Sequence, residues 1–553
     1  MGHTSSGQLE WSAPGPGSWA LDRSHFIGAT TPITQWLMES SMSAGMERVL
    51  EEIGAPIRSV DARFVNGFMY TRPRPLLRPD RPATRLPPTP LLKLAAHLHP
   101  TFRRRARTAA RTLEERPALT VAREWDERIR PRLIERNREL QSIDPAGLDD
   151  LALDGHVGDL LDHAREQAEL HFWLHGHDLG PIARFLHRCE SWGLDPADAT
   201  RALAGASPTT SRPTSMLYRL RQLLDEAGVH PATLDDVRSA SPEAEQLLDD
   251  YLADRAHVLA TGYDLTAFTL AELPNLVVES IRSAAEPATP SDTESAAIAA
   301  ELQAQVPGEG RDEFDVVLHD ARAVMDMRDD NGPLTVEWPM GLLRRSLLEV
   351  GRRLVERAGW HDPTLAIEVT PDEARTLLGG PTPTAAELDR RAERRSAHGR
   401  LEPPNSLGAD EPEPPPTILP APLPELVGMI QTSFRHLGMD AAPRSDSLVG
   451  VGIGDAPYTG RVRRAGSADE ALDAMEPGDV LVVRATSPAF NVVLTIAGAI
   501  VTADGGAMSH AAVLARELGI PAVIGAGGAL DLPDGATVEV DPAAGRVRQL
   551  DDT

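Results

Sequence analysis

Lysine is almost missing from this chain. Lys93 is the only one in 553 residues, and the rest of its 55 basic side chains are arginine. A Gly-x-x-x-x-Gly-Lys-Ser/Thr phosphate loop is therefore excluded, because Lys93 stands in a leucine-rich, proline-flanked stretch and not among glycines. Cysteine is equally scarce. Cys189 alone cannot build a disulfide framework, and this usage leads us to expect a cytoplasmic setting. Positive charge is in deficit: 55 Lys+Arg against 82 Asp+Glu leaves −27 at pH 7, which disfavours nucleic acid or an anionic membrane as the main partner. Long apolar runs are also lacking. The longest, Val492 to Val501, is broken by Thr495 and Gly498 and reaches about half of the ~20 residues a membrane helix needs. No basic stretch followed by an apolar run opens the chain, so no signal peptide is expected.

What is present fits a folded protein. Hydrophobic residues make up 41% and charged residues 25%, and the length suggests about three domains. Residues 1–100 carry Pro14, Pro16, Pro32, Pro73, Pro75, Pro79, Pro82, Pro87, Pro88 and Pro90, and read as irregular chain with one helix near Thr34 to Ile53. From Thr101 to Leu378 apolar residues recur at helical spacing, as in Leu151–His175, Met216–Ala227, Ala244–Ala260 and Gly341–Ala358. Residues 379–424 read as a proline-rich linker with a short helix over Ala385–His398. After it, short apolar runs alternate with turns. Strands are expected at 479–484, 497–502 and 521–524, a helix over Ser509–Leu518 capped by Gly519, and a closing hairpin over 537–540 and 546–550. The expected fold is thus multidomain: a mostly α-helical region over 1–378, the linker, and a C-terminal α/β domain over 425–553.

The chemistry is concentrated in Thr502-Ala-Asp-Gly-Gly-Ala-Met-Ser-His510-Ala-Ala-Val-Leu-Ala-Arg516. A strand ends at Thr502, Gly505 and Gly506 permit a tight turn, Ser509 caps a helix, and His510 lies in its first turn. Unpaired backbone N–H groups and the helix dipole favour an anion there, and Arg516 adds charge further along. Taken alone, a Ser-His pair at a helix start is ordinarily a polar cap.

The full string, continued by Glu-Leu-Gly-Ile-Pro521-Ala-Val, resembles the phosphohistidine mobile domain of the phosphoenolpyruvate-utilising enzymes. Pro477-Gly-Asp-Val-Leu-Val and Thr486-Ser-Pro488 resemble that domain's first strand and following loop. The resemblance implies that His510 carries a phosphoryl group, within a loop of Thr502, Gly505, Gly506, Ser509 and Arg516. Met508-Ser509-His510 is closer to the rifampin phosphotransferase and phenylphosphate synthase branch than to the dikinases. Trp19-Ala-Leu-Asp22-Arg-Ser-His25, with Thr30-Thr-Pro32, resembles the opening of that branch's helical acceptor-binding region. Leu343-Arg344-Arg345 through Arg352 resembles an arginine-bearing helix near its end, and Arg391–Arg395 with Leu401-Glu-Pro-Pro404 the linker into the carrier domain. The resemblance implies a swivelling carrier that visits an acceptor site. With about 43 residues after His510, no (β/α)₈ barrel of about 250 residues is expected. No ATP-grasp domain is recognisable either. ATP and Mg²⁺ are therefore expected on a separate ATP-grasp subunit, with a hydroxyl-bearing small molecule, aromatic or apolar, as the acceptor.

Other residues leave alternatives open. His171 and His175 share a helix face, with His163, His177-Asp178 and His187 nearby; a metal pair, a substrate-pocket or general-base role, and plain packing all fit, although the glutamate of a His-Glu-x-x-His motif is absent. No metal is expected. His25 divides the same way. Arg328, Arg344 and Arg345 are candidates to hold the transferred group, since a guanidinium matches phosphate oxygens, or they are surface ion pairs. The arginine-rich stretch Phe102–Arg138 is interspersed with acids and reads as a solvated helix face, with docking to an acidic partner as the minor option. Three readings follow: a phosphotransferase subunit fed by a donor subunit, a non-enzymatic phosphocarrier or regulatory protein, and an enzyme taking phosphate directly from a small donor.

Overall fold

The computed structural model describes every residue except 1–8, 23–24, 27, 78–84, 285, 287–291, 438–446, 455, 467, 487–489 and 551–553. Pro79, Pro82, Arg23, Ser24 and the Ser487-Pro488 part of the strand-following loop lie outside the described residues.

A helical body is built on one helix of 42 residues, Asp150–Ser191, started by Asp149, whose carboxylate accepts the Ala152 N–H at 2.8 Å. The helix Pro32–Glu52 crosses it where small residues permit contact. A side chain on Gly45 would meet the Phe172 Cβ at 2.8 Å, and one on Gly176 would press into Val49. Pro208–Ala227, Pro242–Arg255 and Trp338–Arg357 are further helices of this region. Two π-helical turns interrupt it, Trp125–Ile129 and Pro333–Glu337. No helix among the described residues is long and apolar enough to cross a membrane.

The N-terminal hundred residues differ from the expectation. The helix is there, but β1 (Trp19–Leu21), β2 (Ile57–Val65) and β3 (Phe68–Pro75) are strands, joined by β4 (Ser406–Leu407) into an antiparallel sheet ordered β2-β3-β1-β4. The turn between β2 and β3 is Asn66-Gly67, both at positive φ (54° and 88°), the pair a tight hairpin demands. The prolines obscure this local signal. The linker helix forms over Ala385–Gly399, and the linker is partly built into the body: β4 pairs with β1, and the Tyr70 hydroxyl donates to the Pro404 carbonyl at 2.9 Å. The helix Leu423–Leu437 also packs on the body, with its Thr432 hydroxyl 3.1 Å from His187 Nδ1.

The C-terminal sheet contains β5 (Val451–Ile453), β6 (Tyr458–Arg464), β7 (Val480–Val483), β8 (Ala499–Thr502), β9 (Ala522–Ile524), β10 (Thr537–Asp541) and β11 (Arg546–Gln549), ordered β11-β10-β6-β7-β8-β9-β5. β6 to β9 run parallel. All side chains of β7, β8 and β9 are buried, as expected for central parallel strands covered on both faces, and this is why they read as unbroken apolar runs. The molecule is thus mostly helical with a C-terminal sheet domain.

Candidate functional site

His510 is the first residue of the helix His510–Leu518, which follows β8 and ends at Gly519 in the left-handed conformation (φ 65°). Between β8 and the helix, Gly505 adopts φ 126°, and a side chain on Gly506 would lie 2.6 Å from the His436 carbonyl oxygen. Thr502 is buried. Its hydroxyl accepts the Gly525 N–H at 3.2 Å and its carbonyl the Ala526 N–H at 2.8 Å, pinning the start of the loop. Ser509 occupies the N-cap position, but its side chain forms no capping bond, contrary to expectation. The hydroxyl lies against Gly505 instead of the first turn, and its buried Oγ has no hydrogen-bond partner among the described residues. The loop therefore offers a hydroxyl and the first-turn N–H groups beside the imidazole, the donor set a phosphoryl group uses.

The Thr486 hydroxyl lies 2.9 Å from His510 Nδ1. With Nδ1–H donating to Thr486, Nε2 is the ring nitrogen that carries the lone pair. Burial first, and the Arg328 guanidinium second, push the imidazole down to about 3, so it is neutral at pH 7. Arg328 belongs to the body, on the helix Met325–Gly332. It donates to the Met508 carbonyl at 3.2 Å and pairs with Asp329 at 3.0 Å. Arg516 reaches the other way, donating to Thr200 of the body at 3.1 Å and to the Ala507 carbonyl at 3.1 Å. Met508 is buried within the body's hydrophobic core and its N–H donates to the His436 carbonyl. The histidine loop is therefore docked on the helical region.

Polar groups of the body gather behind this seam. His25 Nδ1 is 2.9 Å from Asp22. Burial acts to lower its pKa, but the charge and hydrogen bond of Asp22 outweigh it and the net shift is upward. Its ring is 6.1 Å from that of Tyr263. Tyr263 is held well above its ordinary pKa by burial and then by Glu337 and Asp22, with Arg328 opposing. Glu337 is buried, its Oε1 has no hydrogen-bond partner among the described residues, and burial pushes it up to about 8 against the pull of Arg255. His171 is driven well below 6.5, chiefly by burial and then by the charges of His175 and His25.

His171 and His175 form one proton-bearing chain. Asn331 Nδ2 donates to Asp178 at 3.3 Å and to the His171 carbonyl at 3.2 Å, which turns its Oδ1 to His171 Nδ1 at 3.1 Å. His171 Nδ1–H then donates to Asn331, and Nε2 accepts from His175 Nε2–H at 3.1 Å. His175 Nδ1 faces the buried Asp178 carboxylate at 3.3 Å. The two ring nitrogens point at each other at hydrogen-bond distance and not at a common third point. Among the described residues no group of three or more His, Cys, Asp or Glu is arranged to hold a metal.

Of the candidates, His25, His175 and Arg328 thus fall within a network of neighbours leading to His510. Arg344 and Arg345 are engaged elsewhere. Arg344 is buried, grips Glu272 with two bonds (2.9 and 2.8 Å) and donates to the Leu265 carbonyl. Arg345 donates to the Gln141 carbonyl at 2.8 Å and lies 3.7 Å from Asp144. The sequence reading did not single out Tyr263, Asn331 or Glu337, nor the pairing of Thr486 with His510. One signal was there: Asn331-Gly332-Pro333 are turn formers inside a helical run, and they lead into the π-helical turn that carries Glu337.

Residues 475–545 match the family model described as "PEP-utilising enzyme, mobile domain". The chain is 46% identical over 110 residues to phosphoenolpyruvate synthase of Aeropyrum pernix (20% of this chain, 13% of that protein), and 47% identical over 125 residues to that of Neisseria meningitidis (22% and 16%). A longer match, 26% identical over 575 residues, covers 96% of this chain and 14% of chondramide synthase from Chondromyces crocatus. The chain spans less than a quarter of the length of each of these relatives.

Proposed function

The chain belongs, through its C-terminal domain, to the phosphoenolpyruvate-utilising enzyme family, whose chemistry is phosphotransfer, and from that premise we propose that it is the carrier and acceptor-binding part of a phosphotransferase. The observation carrying this reading is the neutral, Thr486-oriented His510 docked through Arg328 against a buried histidine–carboxylate network.

In the first step His510 Nε2 attacks a phosphorus atom of the donor, an N–P bond forms, and the P–O bond to the donor's leaving group breaks. In the second the carrier docks on the body, the acceptor hydroxyl attacks the same phosphorus, and the N–P bond breaks. The imidazole leaves neutral with Nδ1–H still on Thr486, and the hydroxyl proton passes to the His171–His175 pair, where Asp178 balances it. Arg328 neutralises charge on the phosphoryl oxygens. Catalysis is then mostly positioning and electrostatics, as phosphoryl transfer requires. The donor is a separate ATP-grasp subunit holding ATP and Mg²⁺. The scarcity of lysine supports this: Lys93 is exposed on the helix Thr89–Leu98, outside any glycine-rich loop. The acceptor is a hydroxyl-bearing organic molecule.

The test is incubation of the full chain with an ATP-grasp subunit and ATP labelled on its β and γ phosphates. Acid-labile label on the wild-type chain and none on His510→Ala is the expected result. Equal label on both removes the carrier assignment.

A further inference from the structure

The helix Thr89–Leu98 is apolar on two faces. On one, Leu92 is half-buried and Ala96 buried against the rest of the chain. On the other, Leu91, Leu94 and Leu98 recur at i, i+3 and i+7 and are 58%, 57% and 65% exposed. Among the described residues no other helix exposes more than one large apolar side chain. A helix that is apolar all round is ordinarily covered all round, and an open leucine stripe marks an interaction site.

The chain around this stripe is basic. From Arg81 to Leu113 there are eight cations and no acid, in a chain whose net charge is −27. The next helix, Pro100–Glu115, follows after His99 and packs on the first. Its Arg103, Arg107 and Arg111, at i, i+4 and i+8, form an exposed stripe and make no ion pair among the described residues. The arginines between them are used internally. Arg104 lies 3.3 Å from Glu51, and the buried Arg105 donates to the Leu50 carbonyl at 2.6 Å. Open leucines and open arginines on two adjoining helices call for a partner that is apolar and acidic together. Nucleic acid would leave the leucines without use, and an anionic membrane would repel the rest of this acidic chain. A protein face with an apolar strip bordered by carboxylates meets both stripes.

We infer that Leu91, Leu94 and Leu98 with Arg103, Arg107 and Arg111 form a docking surface for a protein partner of that chemistry, and that this partner is the phosphoryl donor subunit. The donor half of this inference rests on the proposed function. Position supports it. Thr89–Leu98 packs on Pro416–Ile418, and Pro100–Glu115 packs on Leu423–Leu437, the helix whose last carbonyls seat the histidine loop. A partner held here is anchored to the segment that leads into the C-terminal domain, beside the tether of the histidine it serves.

Two probes test the surface on the full chain: a synthetic helical peptide with leucines at i, i+3 and i+7 flanked by glutamates, and the same peptide with every glutamate replaced by glutamine. By fluorescence anisotropy the acidic peptide is expected to bind tenfold or more tighter than its counterpart. Leu94→Gln with Leu98→Gln should weaken it tenfold or more, and Arg107→Glu with Arg111→Glu should remove the preference for the acidic form. All four side chains are exposed, so circular dichroism and thermal unfolding should stay unchanged. No preference for the acidic peptide, or a preference that survives the arginine variant, overturns the surface. So does binding to phosphatidylserine vesicles that both variants lose, which makes the partner a lipid, or a dimer of the chain alone that both variants lose in sedimentation, which makes it a second copy. For the donor half, the acidic peptide and both double variants are expected to slow labelling of His510 by the ATP-grasp subunit fivefold or more when that subunit is limiting, with the final label unchanged. Equal rates in wild type and variants overturn the donor assignment and leave the carrier reading standing. No label on wild type overturns the carrier reading and the donor assignment together, while the peptide still reads the surface.

Discussion

Thr486 sits one hydrogen bond from the reacting histidine and touches no phosphate in the reading above, so its contribution is orientation. Replacing it with valine keeps its shape and removes the oxygen that holds Nδ1. The cost of one such bond is about 1 kcal/mol, and labelling of His510 by the donor should slow roughly fivefold with the total label unchanged. Glu337 gives a prediction of another kind, on stability. Its carboxyl keeps a proton in the folded protein up to about pH 8, whereas in the unfolded chain it ionises near 4.5. Both states are protonated below 4.5, the unfolded state alone ionises between 4.5 and 8, and folding stability is therefore lost as pH rises through that window. Glu337→Gln should flatten this loss and, at pH 9, be more stable than wild type by a few kcal/mol in urea unfolding, while at pH 4 the two should agree closely.

At the scale of elements, the turn before His510 is fixed from outside. Gly506 is pressed on the end of the helix Leu423–Leu437, whose Arg435 and His436 carbonyls stand 2.7 and 2.6 Å from where a Cβ would be. The obstacle is backbone, which cannot turn aside, so Gly506→Ala should push the loop off its seat at a cost of about 1–3 kcal/mol. Faster hydrogen exchange at the Met508 N–H, which bonds the His436 carbonyl, would report it. The same contrast between local and distant information explains what the sequence disclosed. The strand ending at Thr502, the double glycine, the helix and its Gly519 cap are contiguous signals, and each is legible because each is settled by its neighbours. Asn66-Gly67 is as local a signal, but the surrounding prolines argued for irregular chain, and the pairing of β1 with β4 joins residues 19 and 407, which no window spans. The body side of the seam was illegible for that second reason. Asp22 and His25, His171 to Asp178, Tyr263, and Asn331 to Glu337 come from four separated stretches, and only packing makes them one network. Arg344 and Arg345 show the converse: an arginine-rich helix looks phosphate-binding in sequence, yet its charges are consumed by Glu272 and by carbonyls of the body.

For the whole molecule, docking of the C-terminal domain and the protonation of His510 are linked. In the docked arrangement burial and Arg328 hold the imidazole down to about 3, and a histidine exposed by undocking titrates near 6.5. The undocked state therefore binds the extra proton between these values, and by linkage acid favours it: docking is fully present above about pH 6.5 and weakens as pH falls toward 3. Other groups at the seam include Arg328 with Asp329, Arg516 with Thr200, Arg484 3.6 Å from Glu402, and His436 and Arg435, both paired with Glu190. Because His436 also stands at the seam, His510→Asn and His436→Gln separate the contributions of the two histidines. Small-angle scattering at pH 7.5 and pH 5 should show the wild-type chain expanding at the lower pH and His510→Asn expanding much less, with His436→Gln retaining most of the response. Equal expansion in wild type and His510→Asn would detach docking from the histidine. The direction suits a carrier. At neutral pH the unphosphorylated imidazole is uncharged and rests against the body, and an added phosphoryl group brings anionic oxygens to the same seam, where Arg328 supplies the compensating charge that a neutral ring does not need.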